Sequence, residues 1–336
     1  MKALLATPAQ KLFGLIFIVA LTCLGIVCSV AFGVTSIKWR TIIETYTAFN
    51  GSTEQLIIQT ARMPRALIAA VVGASLAIAG ALMQAITRNP LASPSIFGIN
   101  SGASLMIVIS AAYFDVSSQS QFAWIAYAGA AISAALVYFL GSVGKGGQTP
   151  IKITLAGAAL TAFFASLTQG VLLSSGKAMD QVMYWLVGSI AGRNLSVLYA
   201  VLPYTAIALL ATFFIARHMN TLALGDDVAK GLGQNTIYVK AAAAVIIVIL
   251  AGGSVAAAGP IAFVGIIIPH ITRYLVGQDY RWQLPYCAFL GAILLLGADI
   301  GSRYIAMPKE IPVGVMTAII GVPFLVYIAR KGGGRG

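Results

Sequence analysis

The chain has 336 residues, of which 59% are hydrophobic and only 9% charged, with a mean hydropathy of +0.92. A water-soluble domain of this size needs a far more polar surface, so the composition is that of an all-α polytopic membrane protein. The net charge of +12 comes with no basic face and no aromatic-interleaved patch, which argues against nucleic acid as a partner. Cys23, Cys28 and Cys287 lie in apolar runs without ligand or redox spacing and read as buried small hydrophobes; neither a metal site nor a cofactor is expected.

Runs of about 20 apolar residues cross a bilayer core when wound as helices. Read between polar punctuation, they fall at 12–34, 67–86, 96–113, 122–143, 153–174, 195–216, 238–258, 261–276, 284–300 and 313–329. The last three are divided by Pro260, Pro269, Pro285, Pro308 and Pro312. About ten spans put both termini on one side. That side is cytoplasmic by the Lys/Arg bias, 13 on the inner loops against 8 outside. The first run is too long for a signal-peptide core and no small-residue cleavage site closes it, so a retained first span is expected. Trp39, Trp124 and Trp282 fall at expected span ends. Gly73, Gly80, Gly129, Gly141 and the Gly252–Gly253 pair are placed where helix backbones could approach closely.

Four polar segments interrupt this pattern. Residues 88–100 (RNPLASPSIFGIN) stop the second helix and reset the chain before the third. Residues 180–193 (DQVMYWLVGSIAGR) have an aromatic, apolar centre too short to span, which suggests a surface or re-entrant helix. Residues 218–236 form a cytoplasmic connection. It reads as a short amphipathic helix, with Asp226 and Asp227 capping its start near Gly225 and Val228 and Leu232 supplying an apolar edge; Leu222 and Leu224 lead into it. Asp299 and Arg303 stand four apart, at the spacing of a helical ion pair. His270, beside Pro269 at an inner span end, reads as a hydrogen-bonding group rather than a proton carrier.

At these segments the chain resembles the FecCD family of permeases, the membrane subunits of ATP-binding-cassette importers for iron–siderophores, haem and cobalamin. The resemblance rests on RMPRALIAAVVGASLAIAGALMQAITRNPLASPSIFGINSGAS from residue 62, then MYWLVGSIAG, LALGDDVAKGLG, GPIAFVGIIIPHITR and ADIGSR followed by EIPVGVMTAIIGVPFLVYI, in the family's order. It implies a type II importer permease with ten helices and a single permease domain over residues 1–336. It also implies a second permease subunit, identical or related, two cytoplasmic ATPase subunits, and an extracytoplasmic binding protein that delivers the substrate. By the same resemblance, Arg62, Arg65 and Arg303 match outward-facing arginines that receive acidic side chains of the binding protein, chemistry suited to guanidinium forks. Asp226, Asp227, Val228, Ala229, Lys230, Gly231 and Leu232 match the helix that couples to the ATPase. Asn89, Pro90 and Leu91, with Gln148 and Thr149, match the cytoplasmic gate. A ferric siderophore is the expected cargo, with haem or cobalamin as alternatives, and a bacterial plasma membrane the expected location.

No residue is expected to be catalytic. The chain has no G-x-x-x-x-G-K-[ST] phosphate loop, so ATP hydrolysis must come from a partner. An ion-driven secondary transporter would need ionisable groups at mid-membrane, for which Asp299 is the one acidic candidate. An intramembrane enzyme is disfavoured by two histidines without an H-E-x-x-H pattern.

Overall fold

A computed structural model describes residues 3–33, 35, 37–114, 116, 118–143, 150–307 and 309–332. Among them the regular structure is entirely helical. In chain order the helices are α1 Pro8–Ala31, α2 Trp39–Thr47, α3 Thr53–Ile57, α4 Met63–Thr87, α5 Ile99–Tyr113, α6 Gln119–Ser142, α7 Pro150–Ser174, α8 Gly176–Leu186, α9 Leu195–Ala223, α10 Asp226–Gly231, α11 Thr236–Ala258, α12 Val264–Val276, α13 Tyr280–Tyr304 and α14 Val313–Gly332. Seven segments are long and apolar enough to cross a membrane, and α5, α12 and α14 add shorter apolar helices. Together they make ten apolar helices, the number expected from the sequence.

Local signals account for several helix ends. Thr7 and Gln10 close a reciprocal capping box ahead of α1, with Pro8 at its first position. Asn235 and Asp279 accept backbone N–H bonds at the starts of α11 and α13. Asn220 of α9 bonds both the Asp279 carboxylate and the Tyr280 N–H, each at 2.7 Å, tying the inner ends of α9 and α13 together. Burial works against the charge of Asp279, but bonds from Arg281 and Asn220 outweigh it and hold the carboxyl at about 2.

α4 is the central post, buried along most of its length and packed by α1, α9, α11, α12 and α13. Gly73 and Gly80, two turns apart on one face, meet Gly291 of α13 and Gly265 of α12, where a β-carbon on either would overlap a carbonyl. Gly129 faces Gly102 in the same manner, Gly141 faces Ile153, and Gly252 and Gly253 lie against α6 and α9 side chains. Large apolar side chains on α1, α7 and α9, among them Phe13, Phe17, Leu155, Leu173, Ile207 and Phe214, are instead exposed. Such faces suit lipid or an apolar partner.

Several sequence expectations need correction. The sixth span continues through His218 to Ala223, so only Asp226–Gly231 of the 218–236 segment is a separate helix. Gly225 is its N-cap, and Asp226 and Asp227 lie in the first turn rather than capping it. The stretch before residue 60 carries α2 and α3, and α3 runs through a π-helical turn, Ile58–Arg62, directly into α4. Trp39 starts α2 rather than ending a span. Of the cysteines only Cys287 is buried, while Cys23 is exposed on α1. His270 packs edge-on against Phe324 of α14, with centroids 5.8 Å apart.

Candidate functional site

Two polar clusters stand at opposite ends of α4. At the outer end, the Asp299 carboxylate is fully buried between two arginines: Arg65 Nε lies 2.7 Å from Oδ1, and Arg303, one turn along α13, bonds Oδ2. Arg65 also pairs with Glu310 at 2.6 Å. Arg303 donates to the carbonyls of Ser29 and Phe32 and to Ser29 Oγ. Arg62 donates to the carbonyls of Val30, Ala31 and Thr35. Both cations therefore satisfy orphan carbonyls at the C-terminal end of α1, where the helix dipole favours positive charge. Gly33 makes room for this: a side chain there would run into the Arg62 guanidinium.

The expectation that all three arginines face outward is corrected by this geometry. Arg62 and Arg303 are 6% and 2% exposed and hold α1 to α4 and α13. Arg65 keeps a partly open edge beside Glu310, whose side chain is 32% exposed.

At the inner end, α4 stops at Arg88, which adopts the left-handed conformation at φ 51°. Asn89 then folds the turn on itself, its Oδ1 accepting from Leu91 N at 2.9 Å and its carbonyl from Ala92 N. A 3₁₀ turn, Pro94–Phe97, and Gly98 at φ 64° lead into α5. Arg88 Nη2 lies 2.9 Å from Asp226 Oδ1, and Lys240 Nζ lies 2.6 Å from Oδ2. One carboxylate thus joins the end of α4, the start of α10 and the first turns of α11. Partial burial opposes the charge on Asp226, but the Lys240 bond and the positive charges of Lys240, Arg88 and Lys230 prevail and hold its carboxyl below the usual range. The folded value is depressed, so the contribution to stability is present above the ordinary carboxylate pKa and fades only in acid.

Of the seven residues that match the coupling helix in sequence, Ala229 is fully buried and Asp226 half-buried. Asp227, Val228, Lys230, Gly231 and Leu232 remain exposed. Leu224, Val228, Leu232, Ile237 and Tyr238 are exposed apolar side chains on and around α10. Ile237 and Tyr238 had no separate signal, because they begin the apolar run of α11. Asn89, Pro90 and Leu91 form the tight turn described above, and Gln148 and Thr149 lie outside the described residues. Among the described residues, no three His, Cys, Asp or Glu side chains are grouped to hold a metal ion.

An expected consequence of the inner cluster can be measured directly. Asp226→Ala should lower the melting temperature by no more than a few degrees, because exposed ion pairs contribute about 0–1 kcal/mol each. Amide exchange at Leu91 and Ala92 should nonetheless rise, since their turn loses its tether to α10. Unchanged exchange there would show that Asp226 does not restrain the turn.

The chain matches the FecCD transport family over residues 21–331. It belongs to that family. Among curated relatives, this FecCD chain is 53% identical to the "Probable siderophore transport system permease protein YfiZ" of Bacillus subtilis (strain 168), covering 96% of this chain and 97% of the relative. It is 46% identical to the Fe(3+)-citrate import system permease protein YfmD of the same organism, covering 95% of each. Against the ferric enterobactin transport system permease protein FepD of Escherichia coli (strain K12) it is 39% identical over 90% of each chain. A solved structure of a metal-chelate type ABC transporter in an inward-facing conformation superposes with a TM-score of 0.82 at 27% identity, covering 94% of this chain and 98% of that one. The FecCD chain is thus a multi-pass membrane transport protein with the fold of a metal-chelate ABC transporter permease.

Proposed function

We propose that this chain is the permease subunit of an ATP-driven importer in a bacterial plasma membrane, and that its cargo is a ferric siderophore handed over by an extracytoplasmic binding protein. The carrying observation is the near full-length similarity to relatives named for siderophore, ferric citrate and ferric enterobactin transport. The whole of residues 1–336 acts as one permease domain, paired with a second permease, identical or related, through an apolar helix face. Of the two cytoplasmic ATPase subunits, one seats against α10 of each permease, using Leu224, Val228 and Leu232 with Asp227 and Lys230 beside them. Closure of the ATPase pushes on α10, and the Asp226 link passes the movement to Arg88 and the Asn89–Pro90–Leu91 gate turn, a rigid-body switch. At the outer face Arg65 and Glu310 meet the binding protein, while Arg62 and Arg303 hold the rim in shape. Rim charges of this kind chiefly steer encounter and weaken with salt.

The experiment is iron uptake in cells lacking the gene, supplied separately with ferric catecholate, hydroxamate and citrate chelates, haem and free iron. Loss confined to one chelate class, restored by the intact gene, is the expected result. Normal uptake of every iron source would sink the iron reading and direct attention to cobalamin.

A further inference from the structure

A cavity of about 330 Å³ opens near the outer surface between α5, α6, α8 and the connection from α8 to α9. Ile107, Phe122 and Val182 form its apolar walls, and Gln119, Tyr184, Trp185, Ser189 and Arg193 supply the polar groups. Its volume lies at the small end of the range for ligand pockets, roughly 300–1,000 Å³. That is room for a citrate-sized ligand or one arm of a larger chelate.

The floor is rigid. Gly188, at φ 78°, passes so close to the Pro260 carbonyl that no side chain fits, and its own carbonyl accepts from Gly314 N at 3.0 Å. Gly259 and Gly314 pack against the carbonyls of Trp185 and Val187 without room for a β-carbon. Gln119 clamps the far end, donating to the Gly192 carbonyl at 3.1 Å and accepting from Asn194 N. Ser189 Oγ accepts from Ala191 N.

Among the described residues, the lining presents donors in excess of acceptors. Arg193 makes one long bond, Nε to the Ser189 carbonyl at 3.4 Å. No carboxylate among the described side chains lies within ion-pair distance of it. Burial lowers its guanidinium to about 10, so it still carries its charge at neutral pH. Trp185 borders the same cavity, is 5% exposed, and its buried indole N–H has no acceptor among the described residues. A buried donor left unmet costs about 1–3 kcal/mol. An acceptor-rich, negatively charged group answers both, and a planar carboxylate fits the guanidinium fork. A cation would be repelled.

We propose that this cavity is a binding site for a carboxylate, occupied by a carboxylate-bearing arm of the chelate as it enters the permease. The cargo part rests on the function proposed above; the site itself rests on Arg193 and Trp185 and the cavity they line.

The test uses the complete transporter in nanodiscs, labelled with 5-fluorotryptophan, with Trp185→Phe assigning the Trp185 fluorine resonance by its disappearance. Citrate is expected to shift that resonance saturably, with affinity about tenfold or more weaker in Arg193→Gln and partly retained in Arg193→Lys. No saturable shift, or the same shift in Arg193→Gln, overturns the site. Two further readings identify the source of the carboxylate. Reduced ferric citrate uptake by Arg193→Gln with unchanged affinity for the binding protein supports the chelate. Reduced affinity for the binding protein instead overturns the chelate assignment and gives the cavity to an acidic side chain of that protein. Saturation by citrate in a transporter that carries no ferric chelate supports the site and sinks the cargo reading alone.

Discussion

Asp299→Asn should destabilise the protein by about 3–5 kcal/mol, the cost of removing one partner from a buried ion pair. The carboxylate has no contact with solvent and is the shared acceptor of Arg65 and Arg303. Without its charge, Arg65 keeps Glu310 as its ion-pair partner and Arg303 has none among the described residues. Arg303 would still hold the α1 carbonyls, so the damage should centre on the α4–α13 contact. Thermal unfolding of the purified chain measures the loss. A double-mutant cycle with Arg303→Met should recover part of it, because the second substitution removes one of the stranded charges. An Asp299→Asn protein with wild-type stability would show that the cluster does not hold the outer rim.

Gly80→Ala should be nearly as harmful, although it adds a single methyl group. The new β-carbon would overlap the Gly265 carbonyl of α12, which is backbone and cannot rotate away. Separating the two helices costs about 1–3 kcal/mol in the usual range for overpacking, and Gly80 belongs at the upper end because several neighbours must move with α12. Gly170→Ala is the matched control: it lies on α7 with nothing within 4 Å of the added carbon, and alanine is the better helix former by up to about 1 kcal/mol. Folded yield and melting temperature should therefore fall for Gly80→Ala and hold or rise for Gly170→Ala. Equal behaviour of the two would remove the close α4–α12 approach as a determinant of the fold.

Much of the architecture was legible because bilayer-length apolar runs and proline punctuation are one-dimensional signals. The spans appeared near their observed positions, and the glycines on α4 were recognisable as sites of close approach. The partners of those glycines, Gly265 and Gly291, were not, because nothing local says which helix crosses which. α2 was missed for a similar reason: its nine residues, Trp39–Thr47, are too short and too mixed to read as a span.

The polar clusters show the same division. The four-residue spacing of Asp299 and Arg303 announced their pairing, and that pairing is present. That Arg62 would turn inward to close α1 could not be read from RMPR, since its acceptors lie about thirty residues earlier, at Val30 and Ala31. A basic residue at an outer loop looks the same in sequence whether it faces a partner or caps a helix. Asp226 is comparable. Its place near the start of a short helix was legible, though as a cap rather than in the first turn, whereas its contacts with Arg88 and Lys240 depend on how α4 and α11 come together.

The most direct measurement is ferric chelate uptake into proteoliposomes holding the chain, its partner permease, the ATPase subunits and the binding protein. The account predicts uptake that requires ATP inside the ATPase-accessible compartment, stops with a hydrolysis-deficient ATPase, and ignores imposed proton or sodium gradients. Uptake driven by an ion gradient in the absence of ATP would contradict it and place the chain among secondary transporters.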